Sequence, residues 1–267
     1  MDKTTLGDRM KNNYENISRY YLTRRMPVIV RLDGCHFHTF TKGFKKPFDN
    51  ILVKTMQKAM KYLCENIQGC VLGYTQSDEI SLVLTDYVEL TTDAWFGNNL
   101  QKMCSVSASM VTMAFNKYFK TIIEDYCEYD PIASFEQRNK YIDACDKGAM
   151  FDSRVFTIPK EEVCNYFLWR QQDCTRNSIL SVGQANFSHN ELNGKSCNDI
   201  QDMLMTQKGI NWNNYATTLK RGSCCIRKEQ EIDTQTKVET SIIRPRWVID
   251  NEIPIFSQDR NYIERLI

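Results

Sequence analysis

Val28-Ile29-Val30-Arg31-Leu32 is a short apolar run closed by Asp33-Gly34. A second run, Val71-Leu72-Gly73-Tyr74, enters Gln76-Ser77-Asp78-Glu79, and Ile80 to Leu84 leaves it. Runs of this length bounded by turn residues read as strands. Between them Leu52, Met56, Ala59, Met60 and Leu63 recur at the helical period and predict a helix over residues 49–67. The order is therefore strand, helix, strand, acidic turn, strand. A right-handed crossover makes strands one and two parallel, and strand three, joined to two by the tight turn, can fit between them. The end of strand one then lies beside the turn, which places Asp33 next to Asp78 and Glu79. Carboxylates gathered on a sheet edge are costly together unless a cation neutralises them, so a divalent metal is expected there.

The remaining pattern extends this unit. Residues 4–21 read as an amphipathic helix with Leu6, Met10, Ile17 and Tyr21 near one face. A loop, residues 35–48, holds His36, Phe37, His38 and the basic positions Lys42, Lys45 and Lys46. Residues 98–120 predict a long helix, whose small-residue stretch from Ser105 to Ala114 suggests close packing on the sheet. Residues 121–148 read as an insertion with little regular core. A fourth strand is expected over 150–158, and Pro159 with Glu161 and Glu162 marks the start of another helix. Beyond residue 188 the composition shifts to Asn, Gln and Lys, with a short helix near 196–206 and a hairpin with arms at 223–229 and 236–243. The plan is α+β, a split βαβ (ferredoxin-like) antiparallel sheet with packed helices, divided into a core over 1–187 and a C-terminal helical and hairpin extension over 188–267. That plan also hosts ribosomal proteins, RNA-binding modules and small enzymes, so by itself it names no activity.

Composition narrows the classes. The 267 residues suffice for one large domain or a core with a smaller appendage, and 42% hydrophobic with 25% charged residues is ordinary for a globular chain. A formal charge of +1 leaves no global basic footprint, so a nucleic-acid partner would be held by local clusters. Eleven cysteines without a CxxC pair argue against a disulfide framework or structural zinc. Met1 to Met10 lacks an apolar leader and no run reaches membrane-spanning length, so a reducing, cytoplasmic setting without a membrane is expected.

An Asp-Gly pair ending a strand is most often only a turn. Convergence with the second acidic turn is what raises it to a candidate site. Gly34 also lets the backbone approach a ligand and offers a carbonyl to a cation. His36, His38 and His189 read from the residues alone as packing or loop hydrogen bonding, and Phe151, Phe156, Phe167 and Trp169 as core. Lys46 is set apart by Pro47, which restrains the chain beside it. Lys220, Arg221, Arg227 and Lys228, near Trp212 and Tyr215, read equally well as a phosphate-contacting stretch or a solvated hairpin.

Taken together, these segments resemble the tRNA-His guanylyltransferase family. The resemblance rests on Arg31-Leu32-Asp33-Gly34 with Phe37, on Lys46-Pro47, and on Tyr74-Thr75-Gln76-Ser77-Asp78-Glu79. It continues through Phe151-Asp152-Ser153-Arg154-Val155, Trp169-Arg170-Gln171-Gln172-Asp173-Cys174, Lys208-Gly209, Asn211-Trp212-Asn213 and Lys220-Arg221-Gly222. It implies a polymerase-palm-like catalytic domain and Mg²⁺-dependent nucleotide addition to the 5′ end of tRNA, in the 3′-to-5′ direction. It further implies two Mg²⁺ ions held by Asp33, the Gly34 carbonyl and Asp78, with Glu79 an essential acid alongside. Lys46, Lys102 and Ser77 become triphosphate positions, with His36 and Phe37 beside Gly34 in the nucleotide site. Lys208, Asn211, Lys220 and Arg221 become RNA-binding positions. The implied partners are tRNA, GTP and other NTPs, with ATP or a retained 5′-triphosphate for activation and a homotetramer as the assembly. One stretch departs from the pattern. Enzymes that add guanosine to histidine tRNA carry His-Ile-Asn-Asn where this chain has Thr175-Arg176-Asn177-Ser178, which looks like the branch that repairs 5′-truncated tRNAs on a template. Single guanosine addition to histidine tRNA, a nucleotide cyclase and a non-catalytic RNA-binding protein are the other readings.

Overall fold

The computed structural model describes residues 5–129, 135–232 and 242–267. A short helix, α1 (Leu6–Met10), precedes strand β1 (Val28–Gly34) and a single helical turn, α2 (Phe37–Phe40). Helix α3 (Asn50–Asn66) begins where the Asp49 carboxylate accepts the Ile51 and Leu52 amides, satisfying two donors that a helix start leaves open. Its buried face, Met56, Ala59, Met60, Leu63 and Cys64, matches the apolar period. Strands β2 (Cys70–Gln76) and β3 (Glu79–Leu84) flank the Ser77-Asp78 turn. Helices α4 (Leu100–Tyr129) and α5 (Phe135–Lys147), strand β4 (Phe151–Thr157) and helix α6 (Lys160–Asn186) follow. The C-terminal part comprises α7 (His189–Leu192), α8 (Cys197–Lys208), α9 (Thr217–Arg221), the hairpin β5 (Ser223–Ile232) and β6 (Ile242–Asp250), and α10 (Asn261–Glu264).

The sheet order is β4-β1-β3-β2-β5-β6, with every neighbouring pair antiparallel. Strand β3 thus lies between parallel β1 and β2, the placement that the crossover argument allows. Strand pleating sends alternate side chains to opposite faces. Val28, Val30, Leu32, Ile80, Leu82 and Leu84 enter a core with α3, α4 and α5. Ile29, Leu72, Tyr74 and Val83 enter a second core with Val163 and Phe167 of α6 and with Phe256 and Ile263. A smaller cluster, including Ile179, Val182, Ile200, Leu204 and Trp212, joins α6 to α8.

Three expectations need correction. The N-terminal amphipathic pattern buries nothing: only Leu6–Met10 is α-helical, a π-helical turn follows, and Leu6, Met10, Tyr14, Ile17, Tyr20 and Tyr21 are exposed. The supposed insertion at 121–148 largely continues α4 and forms α5. Tyr141 and Ala144 of α5 are buried, and the Tyr141 hydroxyl donates to Asp49 at 2.6 Å. With few apolar positions, that helix left a weak period. The second hairpin arm is Ile242–Asp250; the expected 236–243 lies largely outside the described residues. Pro245 and the neighbouring arginines concealed it, but β6 is an edge strand, where proline is tolerated. Strand β5 pairs with β2 from Gly73↔Cys225 to Thr75↔Ser223, so the C-terminal hairpin extends the same sheet. Among the described residues no helix is long and apolar enough to cross a membrane.

Candidate active site

Asp33 is the next-to-last residue of β1, opposite Glu79 of β3 and Asp152 of β4. The Gly34 amide donates to the Asp78 carbonyl at 3.2 Å and ties the acidic turn to the end of β1. Only glycine fits at 34, because a Cβ there would stand 2.1 Å from Cδ2 of Phe37. The Phe37 ring is buried against Phe40, Phe115 and Phe151, with centroids 5.1–5.5 Å away. It therefore props the Gly34 backbone from below and presents no ring to a nucleotide. Burial pushes the Asp78 carboxyl above its ordinary value and the Asp33 charge adds to the rise, while hydrogen bonds from Ser77 and the local backbone oppose it. Asp33 has one distant ion pair, with Arg154 at 3.8 Å, and Arg154 also reaches Asp152 at 3.5 Å.

Glu79 has a different setting. It is buried, accepting from Arg170 Nε at 2.7 Å on one oxygen and from Arg31 Nη2 at 2.7 Å on the other. Burial pushes its carboxyl up, and the Arg170 and Arg31 guanidiniums pull it back. Two guanidiniums occupy both oxygens, so the acidic trio resolves into an open pair, Asp33 and Asp78, plus an ion-paired third acid. Among the described residues no group of three His, Cys, Asp or Glu side chains is arranged to hold a metal. Two carboxylates and the Gly34 carbonyl nevertheless suit Mg²⁺, which takes hard oxygen donors, uses few protein carboxylates and completes its shell with water and substrate phosphate. The ion pairs continue outward: Arg170 Nη2 bonds Asp173 at 2.9 Å, and Asp173 in turn binds Arg176 at 2.6 Å.

Lys46 is exposed on a segment pinned by Asp49, whose carboxylate also accepts the Lys45 amide at 3.0 Å. It lines a small cavity with Thr41, Pro47, Asp49 and Ser181. An adjoining cavity shares Pro47, Asp49 and Ser181 and reaches Ser77, Asn177 and Ser178. Lys46 and Ser77 thus border neighbouring cavities that share part of their walls. Lys102 does not join them. It sits in the first turn of α4 with its ammonium 5.8 Å from the Phe96 ring centroid. Hydrogen bonds Ser107–Ser153 and Phe151–Thr112 show α4 running antiparallel to β4, which leaves Lys102 toward the Thr157 end, away from Asp33. His36 is exposed, with a left-handed backbone (φ 54°) at the start of α2.

The expected RNA positions divide similarly. Lys208 is exposed at the end of α8, with its ammonium 5.3 Å from the Phe187 ring centroid. Asn211 is exposed and spends its side-chain oxygen on the Asn213 amide. Arg221 borders a cavity with Thr175, Arg176 and Asn213. Lys220 is buried: its ammonium donates to the Asn213 carbonyl at 2.5 Å, sits 5.6 Å from the Trp212 ring centroid, and is pulled below the ordinary lysine value by burial. It braces α9 and is not free for phosphate. Trp169 was the opposite miss, expected in the core and found 51% exposed. The stripe Val163, Phe167, Arg170 and Cys174 is buried, and residue 169 falls on its flank, a signal present in the helical period.

The family described as tRNAHis guanylyltransferase matches residues 7–159, and the Thg1 C terminal domain matches residues 161–251. A solved bacterial tRNA(His) guanylyltransferase (Thg1)-like protein in complex with ATP has a TM-score of 0.81 and 47% identity, covering 98% of this chain and 99% of that one. A second such structure, in complex with GTP, has a TM-score of 0.78 and 43% identity over 98% and 99% of the two chains. The probable tRNA(His) guanylyltransferase of Mus musculus is 28% identical over 78% of this chain and 67% of its own length.

Proposed function

The chain belongs to the tRNAHis guanylyltransferase family, and on that premise we infer that it joins a nucleotide to the 5′ end of tRNA at the Asp33–Asp78 edge of its sheet. As a member it is a nucleotidyltransferase. The observation that carries the inference is the pairing of Asp33 with the Asp78 turn through the Gly34 amide, beside cavities bordered by Ser77 and Lys46.

Asp33, Asp78 and the Gly34 carbonyl would hold Mg²⁺, which when bound neutralises triphosphate charge and lowers the pKa of a nearby hydroxyl. The side chains have separable tasks. Lys46 supplies positive charge and Ser77 a hydroxyl for triphosphate oxygens. The Glu79–Arg170–Arg31 cluster holds β1, β3 and α6 in register, so the two open carboxylates keep their aim. In the proposed reaction the 3′-hydroxyl of an incoming NTP attacks the 5′ phosphate of the RNA. That phosphate carries either an adenylyl group taken from ATP with release of pyrophosphate, in which case AMP leaves, or a retained triphosphate, from which pyrophosphate leaves. The bond to the leaving group breaks as the new one forms, and the hydroxyl proton passes to solvent. The solved relatives in complex with ATP and GTP support NTPs as substrates. The exposed apolar side chains between Leu6 and Tyr21 support the homotetramer that the family resemblance implies.

Two finer forms are distinguished by substrate. The relatives' activity supports guanosine addition to histidine tRNA. Template-directed 5′ repair is favoured by the Thr175–Ser178 segment. There Thr175 donates to the Lys220 carbonyl, Asn177 to Asp173, and Ser178 accepts from Trp212, while Asn177 and Ser178 face the Ser77 cavity. The deciding experiment supplies each labelled NTP with full-length histidine tRNA and with several 5′-truncated tRNAs, then sequences the 5′ ends. Guanosine added only to histidine tRNA, whatever base lies opposite, selects the first form. Watson–Crick-directed addition to several truncated tRNAs selects the second. No 5′ addition to any of them overturns the inference.

Lys46→Ala is expected to raise KM for NTP about tenfold or more with little change in tRNA affinity, because a hydrogen bond to a charged group contributes about 1.5–3 kcal/mol. Steady-state kinetics with each substrate varied in turn checks this. Weakened tRNA binding with unchanged KM for NTP would place Lys46 in the RNA groove instead.

A further inference from the structure

Trp169 is 51% exposed, whereas Trp95, Trp212 and Trp247 are all buried. Its ring is nevertheless held. The Arg170 guanidinium carbon lies 4.3 Å from the ring centroid and that of Arg31 lies 5.7 Å away, while Tyr166 meets it at 69° with centroids 5.9 Å apart. Both arginines are themselves anchored on Glu79, so the indole rests on groups that cannot move independently. Holding a large side chain still costs entropy, and its exposed half returns nothing in buried area. An ordered aromatic ring left open to water is the geometry on which a planar ligand stacks.

The surroundings narrow the ligand. Arg31 is two residues before Asp33, which by strand alternation puts both on one face of β1. Its register partner on β4, Arg154, has a side chain 53% exposed and lies 3.8 Å from Asp33. One open strip at the β4–β1 edge therefore carries an aromatic ring, guanidiniums and the carboxylate of the proposed reaction site. A planar base joined to phosphate matches the strip: the base lies on the indole and the phosphate meets the half-exposed Arg154, since Arg31 and Arg170 are committed to Glu79.

We propose that Trp169 is a stacking platform for a nucleobase next to the reacting phosphate, supplied either by the incoming NTP or by the 5′ terminus of the RNA. The identity of that ligand rests on the nucleotidyl-transfer reading. Stacking accepts every base, since each has a π-face, so the platform adds affinity and leaves base choice to other groups.

The test uses the intact protein and its own fluorescence, because Trp169 is exposed while Trp95, Trp212 and Trp247 are buried, and the Trp169→Phe control separates its signal from that of Trp212 and Trp247, which border cavities. GTP, a 5′-triphosphorylated RNA oligonucleotide and inorganic tripolyphosphate are titrated separately. GTP or the RNA should quench the emission while tripolyphosphate should not, and Trp169→Phe should abolish the quench. The arm that quenches identifies the source of the base. Trp169→Leu should weaken binding of that ligand about tenfold or more, whereas Trp169→Tyr should stay near wild type. The proposal is overturned if neither GTP nor RNA quenches beyond tripolyphosphate, or if folded Trp169→Leu binds both as tightly as wild type. Should Trp169→Leu fail to fold, the wild-type quench decides alone. Failure of the transfer reading would look different: no 5′ addition by wild type, with the quench intact.

Discussion

Asp78→Asn is expected to abolish nucleotide addition while raising the melting temperature of the metal-free protein. Loss of a metal ligand removes several kcal/mol of charge stabilisation in the transition state, roughly a thousandfold in rate. The stability change runs the other way because burial, together with the Asp33 charge, pushes the Asp78 carboxyl up. A carboxyl that binds its proton more tightly in the native state contributes stability below its unfolded pKa. That contribution is lost as pH rises through the folded value. At neutral pH without cation the ionised Asp78 is therefore a cost, and the amide removes it while keeping the shape. Melting curves in chelator at pH 7 should place the variant above wild type, with the gap closing as pH falls into the ordinary carboxylate range. Added Mg²⁺ should stabilise wild type and leave the variant unmoved, since only a native state that binds the ion gains from it. A fully active Asp78→Asn enzyme would remove Asp78 from the site.

The second large effect belongs to Glu79, and it is on stability. Glu79→Ala takes the shared carboxylate from Arg31 and Arg170 and leaves the buried Arg170 with Asp173 as its remaining acidic partner. Breaking one side of a buried ion pair costs about 3–5 kcal/mol. At about 2–4 °C per kcal/mol for a chain approaching this size, the melting temperature should fall by roughly 6–20 °C. Glu79→Gln keeps an acceptor for the arginines but not the charge, and should lose less. Denaturant unfolding with paired activity measurements separates support from chemistry. Glu79→Ala with wild-type stability and no activity would mean that the carboxylate acts on substrate.

The first four strands and the helix between β1 and β2 were legible because each is announced locally. Leu52 to Leu63 carry a 3.6-residue period, the strands are short apolar runs, and turn residues punctuate them. The crossover makes β1 and β2 parallel, which leaves room for β3, antiparallel to both, between them; the structure shows that it takes that place. The meeting of Asp33 with the Asp78 turn followed from that topology. Helix α5 and strand β6 were missed where the local signal is diluted, by sparse apolar residues in one and by Pro245 among arginines in the other.

The chain alone determined the proposed catalytic pair in outline, its family motifs and the sheet that carries them, because these are encoded in neighbouring residues and in rules of chain connection. Only the tertiary structure decided what each side chain is free to do. Glu79 is engaged by Arg170, 91 positions away. Lys220 is consumed by Asn213 and Trp212, Lys102 lies toward the far end of α4, and Trp169 stands in the open. A periodic pattern reports that a face will be buried or exposed, but not what lies across it. Charge partners and open surface are set by the packing of segments distant in sequence, and that information exists only once the chain has folded.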